Sequence, residues 1–212
     1  MVIKKKGQDM IDIKLLEENQ ELERAASWSF YVDKVETFAY FNKVFSKNQC
    51  ESIIKIGKKN LDLASVGGGF VNKKIRDSKT SWIAPTENNK WIFQKLTDII
   101  LTVNKEFFNF DLWGMAEGLQ FTEYTEPAGM YNPHVDCMFN GNIRKLSLSV
   151  QLSDPNDYEG GDFVINNGDE IILPKEQGTL FAFPSYVLHG VKPVTKGTRY
   201  SLVAWITGPQ FK

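Results

Sequence analysis

The stretch Lys145 to Asp154, KLSLSVQLSD, alternates more regularly than any other part of the chain, with Leu146, Leu148, Val150 and Leu152 on one side and small polar residues on the other. Successive side chains of a strand point to opposite faces, so the segment reads as a strand with one buried face. Similar signals recur from Met115 onward. Leu119, Phe121 and Glu123 alternate with Gln120, Thr122 and Tyr124, and Thr125-Glu126-Pro127-Ala128-Gly129 then reads as a turn. After a loop over Asp154 to Tyr158, Gly160-Gly161 makes a tight bend and Asp162 to Asn166 a further strand. Asn167-Gly168-Asp169 suits a hairpin turn before Ile171-Ile172-Leu173. Phe181 and Phe183, the segment carrying His189, and Tyr200 to Thr207 complete the series.

The first half of the chain follows a different period. A helix is predicted after Ser46, where Ser46-Lys47-Asn48-Gln49 fits a capping box and Cys50, Ile53, Ile54 and Leu61 share a face. A second opens at Pro85-Thr86, with Ile92, Leu96, Ile99, Ile100, Val103 and Phe107 as a continuous apolar stripe. Two helices ahead of a run of strands argue against a doubly wound parallel sheet and for helices buttressing an antiparallel one. About eight strands separated by turn signals fit a double-stranded β-helix, or jelly roll. The fold class is therefore mainly β with supporting helices (α+β), the jelly-roll core being buttressed by N-terminal helices. Trp28, Phe30 and Val32 alternate with Ser29 and Tyr31 as a strand joining one sheet, and residues 1–27 form a polar arm. Residues 28–212 are expected to form a single domain with its catalytic core at about 115–208, a size ordinary for one domain.

Composition narrows the partners. A formal net charge of −1 and the lack of a long basic block argue against nucleic acid. Aromatic residues make up 13% of the chain, which suits a barrel whose inner face must be filled and kept dry. Cys50 and Cys137 have no metal-binding spacing and read as reduced thiols of a cytoplasmic protein, with Cys137 facing away from Asp136 by strand alternation. The start, MVIKKKGQDMIDIK, has no apolar stretch of secretory length, and no run approaches a membrane span. Val66-Gly67-Gly68-Gly69-Phe70 lacks the lysine and hydroxyl that follow the glycines of a phosphate loop, and reads as a flexible loop.

The chemistry centres on His134-Val135-Asp136. An imidazole and a carboxylate two positions apart share one face of a strand and can bind one cation, although the same pair also fits a hydrogen-bonded turn. The only other histidine, His189, is the candidate third ligand. Two nitrogens and a carboxylate on one face of a metal make the facial triad of non-haem iron(II) oxygenases, whose other positions stay open. Arg199, in GTRYSLVAWITG, either begins an exposed strand or forms a planar bidentate pair with a carboxylate of a dianionic cosubstrate. Lys73, Lys74 and Arg76 on their own read as a solvated basic loop.

Five segments carry a resemblance: L-Q-x-x-x-Y (Leu119, Gln120, Tyr124), Y-x-x-H-x-D (Tyr131, His134, Asp136), E-G-G-D-F (Glu159 to Phe163), H-G-V-x-P-V (His189 to Val194) and G-x-R-Y-S-L (Gly197 to Leu202). Together they resemble the 2-oxoglutarate and iron(II)-dependent dioxygenases, most closely the prolyl 4-hydroxylase-like branch. The similarity covers roughly residues 118–207, with a fainter stretch from Phe45 through Ile75. The resemblance implies a double-stranded β-helix, Fe(II) on His134, Asp136 and His189, and 2-oxoglutarate and dioxygen as cosubstrates. It implies hydroxylation of an unactivated C–H bond with release of succinate and carbon dioxide, and L-ascorbate as an outside reductant. Arg199 is assigned to the C5 carboxylate of 2-oxoglutarate. Tyr124 donates to the same carboxylate, or is a buried tyrosine needing a partner. Ser201 adds a hydroxyl, or is a plain strand serine. Tyr131 lies near metal and substrate, and Arg76 contacts substrate at the mouth.

Many prolyl 4-hydroxylases carry lysine where this chain has Arg199, a departure that leaves the cosubstrate in place and widens the choice of substrate. Fold does not decide among prolyl, lysyl, free amino acid, nucleobase and metabolite substrates. The leading expectation is a peptide or small-molecule substrate hydroxylated on a prolyl or other amino-acid side chain. The alternatives are the same chemistry on a nucleobase or small metabolite, a non-catalytic jelly-roll binding module, and a cupin-type metalloenzyme without 2-oxoglutarate, which usually draws on more histidines.

Overall fold

The computed structural model describes residues 35–66, 69–136 and 143–210. The expected N-terminal arm, the strand over Trp28 to Val32, two glycines of the Val66 to Phe70 loop, and Cys137 lie outside them.

Helix α1 (Lys47–Gly57) begins as predicted. Ser46 Oγ accepts from the Gln49 N–H at 3.3 Å and Gln49 Oε1 accepts from the Ser46 N–H at 3.0 Å, so two otherwise unpaired donors at the helix start are satisfied reciprocally. The helix buries Cys50 and Ile53. Burial pushes the Cys50 thiol up to about 11, so it packs as a neutral apolar group at ordinary pH. Leu61 lies beyond the helix, after a 3-10 turn over Lys58–Asn60.

Helix α2 (Lys90–Val103) starts later than expected. The Asn89 side chain accepts from the Thr86 N–H at 2.6 Å and donates to Ala84 O at 2.9 Å, which ties the residues after Pro85 into a turn before the helix begins. Ile92, Leu96, Ile100 and Val103 are its buried stripe. Phe107 falls outside α2, in a π-turn over Asn104–Phe108 that ends at Asn109 with φ +51°.

Among the described residues there are thirteen strands: β1 (Ala39–Phe41), β2 (Asp62–Leu63), β3 (Arg76–Asp77), β4 (Lys79–Ile83), β5 (Leu119–Thr125), β6 (Met130–His134), β7 (Arg144–Gln151), β8 (Tyr158–Gly160), β9 (Phe163–Asn167), β10 (Asp169–Ile172), β11 (Leu180–Pro184), β12 (Leu188–Val191) and β13 (Val194–Thr207). They pair antiparallel in two sheets. The larger runs β1-β11-β7-β13-β5-β4-β2, with β8 also on β13, and the smaller runs β10-β9-β12-β6-β3. β9 and β10 turn at Gly168, where φ is +83°, as the Asn-Gly-Asp signal predicts.

The larger sheet separates two environments. Leu119 and Phe121 of β5, Leu146, Leu148 and Val150 of β7, and Leu202, Ala204 and Ile206 of β13 pack with α1 and α2 in one apolar cluster. On the opposite side, Tyr124, Phe181 and Phe183 meet Phe163, Ile165 and Val191 of the smaller sheet. This is the expected mainly β, helix-buttressed architecture, with the two sheets of the double-stranded β-helix sharing an interior. One expectation fails. The polar side of β7 is buried as deeply as its apolar side, Ser147 at 0%, Ser149 at 3% and Gln151 at 1% exposure, because that side faces the space between the sheets.

Gly57 brings the end of α1 close against Phe121 of β5. A Cβ there would fall 2.1 Å from Phe121 Cγ, and Phe121 is fully buried. Gly57→Ala is expected to destabilise the fold by about 2–3 kcal/mol through overpacking, although alanine favours helix. Urea unfolding measures this, and an unchanged midpoint would show that the helix shifts freely.

Candidate active site

β6 and β12 are neighbours in the smaller sheet, and their register sets His134 directly opposite His189. The two backbones approach closely beside the pair: a Cβ on Gly190 would lie 2.9 Å from Tyr131 O, so glycine permits the contact. Each imidazole is held by its own chain, His134 Nδ1 lying 2.9 Å from Asn132 O and His189 Nδ1 2.9 Å from Val187 O. A carbonyl only accepts, so Nδ1 carries the hydrogen in both rings and Nε2 keeps its lone pair.

Both Nε2 atoms face Asp136, at 3.6 Å from Oδ1 for His134 and 3.4 Å from Oδ2 for His189. The three ligand atoms lie within 4.8 Å of one another. Asp136 departs from the expected strand geometry, because β6 ends at His134. It is positioned instead by the turn after β11 and by β7: its N–H donates to Ser185 O at 2.9 Å, and its Oδ2 accepts from Ser147 Oγ at 2.8 Å. Burial alone would push its carboxyl up, but positive charge on His189 and His134, when either ring is protonated, outweighs that and pulls it well below the usual carboxylate range. His189 is shifted down by burial, with Asp136 opposing, which keeps its ring neutral and able to donate its lone pair. Tyr131 stacks on His134 with centroids 3.5 Å apart, and Phe183 and Phe163 flank His189 at 4.5 and 5.7 Å.

The triad opens into a cavity of about 300 Å³ that is also lined by Arg76, Tyr124, Tyr131, Arg199 and Ser201, so the eight candidate site residues reach one space. Arg199 does not begin an exposed strand. It lies inside β13, is 0% exposed, and faces Tyr124 across the β13–β5 pair with its guanidinium 5.3 Å from that ring. Its Nη2 donates to Gln151 Oε1 at 2.6 Å, while Nε and Nη1 have no partner, and among the described residues no carboxylate pairs with it. Burying a cation without a counter-charge is costly. Gly161, at φ +62°, makes room for the side chain, since a Cβ there would lie 3.1 Å from Arg199 Cδ. Ser201 stands opposite Thr122, whose buried hydroxyl also lacks a partner.

Arg76 separates from Lys73 and Lys74, which remain exposed. It sits on β3, 7% exposed, donating to Ser78 Oγ at 2.9 Å and Gln120 Oε1 at 2.8 Å, with its guanidinium 4.6 Å from the Tyr131 ring. Several residues that line the cavity or support its lining escape a reading by sequence. Arg144 holds Glu117 through two hydrogen bonds of 2.7 and 2.5 Å and lies 3.7 Å over the Trp205 ring. Ser147 and Gln151 fall on the polar half of β7, and their alternation was the only signal available.

A sequence profile of the 2OG-Fe(II) oxygenase superfamily matches residues 119–207. A PKHD-type hydroxylase of Prochlorococcus marinus is 30% identical over 170 residues, covering 78% of this chain and 74% of that protein. The chain belongs to the 2OG-Fe(II) oxygenase superfamily. A PKHD-type hydroxylase of Picosynechococcus is 41% identical to this oxygenase over 90 residues, which span 42% of the chain and 41% of that relative. Among solved structures, a prolyl-4-hydroxylase of Pseudomonas putida superposes with a TM-score of 0.67 at 19% identity, covering 82% of this chain and 94% of its own. A Trichoplax adhaerens prolyl hydroxylase in complex with a hypoxia inducible factor peptide fragment gives 0.68 at 16% identity, covering 94% of each chain. These likenesses bear on the fold.

The residues present fit the groups that the superfamily's name implies. Two imidazoles with Nδ1 engaged by backbone carbonyls and a carboxylate held by Ser147 are a donor set for a divalent iron. The unpartnered N–H groups of Arg199 are a seat for a carboxylate in the same cavity.

Proposed function

We propose that this oxygenase is an Fe(II)- and 2-oxoglutarate-dependent dioxygenase that hydroxylates an unactivated C–H bond of a prolyl or other amino-acid side chain, in a peptide or a small molecule, with release of succinate and carbon dioxide. The observation that carries this reading is the fully buried Arg199, with two N–H groups unsatisfied, on the cavity that also holds the His134, Asp136 and His189 cluster. A cation left so exposed to its own desolvation cost is best explained by an anion that the functioning protein supplies.

His134, Asp136 and His189 would hold the iron, which when bound with 2-oxoglutarate and dioxygen supplies the oxidising power for C–H hydroxylation. Arg199 would take the far carboxylate of 2-oxoglutarate, with Tyr124 and Ser201 bordering it. The carbonyls of Asn132 and Val187 hold the imidazoles in the tautomer that leaves Nε2 free. Phe163 and Phe183 keep water from His189 and lower the local dielectric. Tyr131 and Arg76, stacked on each other beside His134, would contact substrate. L-Ascorbate is the proposed reductant for recovering the ferrous state. Preference for an amino-acid side chain rests on the PKHD-type and prolyl hydroxylase relatives.

The test is anaerobic titration of Fe(II) and 2-oxoglutarate into the purified protein, followed by the weak visible charge-transfer band of a chelated 2-oxo acid. The band is expected in wild type and absent in His189→Ala. Iron binding without the band would favour a metalloenzyme that does not use 2-oxoglutarate, and no iron binding would favour a binding module.

A further inference from the structure

Resting on the 2-oxoglutarate reading, we propose that Gln151 is a positioning residue that sets how Arg199 presents its charge, and so determines the preference for a dicarboxylate over a monocarboxylate 2-oxo acid. A guanidinium has two edges that can take a carboxylate through paired N–H bonds, one using Nη1 with Nη2 and the other Nε with Nη2. Both edges need Nη2. Gln151 Oε1 accepts one Nη2 hydrogen at 2.6 Å, which closes one edge and leaves the other whole. Nε and Nη1 remain without partners.

The chemistry of the amide matters as much as its place. Glutamine accepts a hydrogen bond without cancelling the cation, so the site stays electropositive for an incoming anion. A glutamate would supply that anion permanently. Gln151 is itself held firmly: it is 1% exposed, its N–H donates to Thr179 O at 2.9 Å, and its carbonyl accepts from the Gly178 N–H at 2.7 Å. Its amide therefore approaches Arg199 from a fixed backbone rather than from a mobile loop.

The experiment is anaerobic calorimetric titration of the Fe(II)-loaded protein with 2-oxoglutarate and, separately, with 2-oxobutanoate, which has the same oxo-acid head but no second carboxylate. Gln151→Glu is expected to weaken 2-oxoglutarate by at least about 30-fold, the scale of losing a buried charge partner, while 2-oxobutanoate stays within about 2-fold. Gln151→Leu, which keeps the cation but frees both edges, is expected to weaken 2-oxoglutarate by roughly 10-fold with 2-oxobutanoate again unchanged, and it decides the matter if the glutamate variant does not fold. Wild-type affinity for 2-oxoglutarate in the folded variants, or a parallel loss for both acids, would overturn the assignment, the second by reducing Gln151 to a structural role. Failure of wild type to bind 2-oxoglutarate at all would instead overturn the functional reading beneath it.

Discussion

Arg199→Leu is expected to weaken 2-oxoglutarate binding by about 30- to 700-fold, equivalent to about 2–4 kcal/mol, because the far carboxylate loses its buried cation. The same substitution should leave the cosubstrate-free protein at least as resistant to heat as wild type. Arg199 is 0% exposed with two unsatisfied N–H groups, so without an anion it is a net cost to the fold, and an apolar side chain removes that cost. Calorimetric titration and thermal melts with and without 2-oxoglutarate check both halves. A variant that binds 2-oxoglutarate normally would move the carboxylate site elsewhere, and one that melts far below wild type without cosubstrate would make Arg199 a structural cation. Arg199→Lys should fall between, since it keeps the charge but loses the planar fork.

Asp136→Ala is expected to abolish turnover and lower Fe(II) affinity by more than about 100-fold, beyond the range for losing a supporting hydrogen bond. The fold should survive. Ser147 retains its 2.8 Å contact with Ser185, and the Asp136 N–H to Ser185 O bond does not depend on the side chain. Equilibrium dialysis with Fe(II) under anaerobic conditions, alongside far-ultraviolet circular dichroism, separates loss of metal from loss of structure. Wild-type metal affinity in a folded variant would exclude Asp136 as a ligand. Ser147→Ala provides the comparison: it keeps all three ligands, removes the 2.8 Å bond to Oδ2 together with the contact to Ser185, and should cost about 10-fold.

What the sequence makes legible follows from strand alternation and helix capping. His134, His189, Arg199, Tyr124 and Ser201 all lie on strands, where period two carries a side chain to a predictable face, and they do reach one cavity. The α1 start is legible because Ser46 and Gln49 satisfy each other locally. The rest depends on tertiary partners. Asp136 lies past the end of β6 and is placed by Ser185 and Ser147, neither adjacent in sequence. The α2 start is delayed because Asn89 spends its amide on Thr86 and Ala84. Ser147 and Gln151 look like a solvent-facing polar row, since alternation separates two faces without saying what covers the second.

β5, β7 and β13 each carry apolar residues toward α1 and α2 at every second position, and at the positions between them the groups that serve the cavity. Foldedness and chemistry are thus written on the same strands as two interleaved texts. Substitutions can revise one text while the other is read unchanged, so the cavity can drift toward new substrates under an undisturbed scaffold. Deleting one residue from the middle of β7 would exchange the texts, driving Leu148 and Val150 into the cavity and Ser149 and Gln151 against the helices. Such a strand tolerates spelling changes but not shifts of frame.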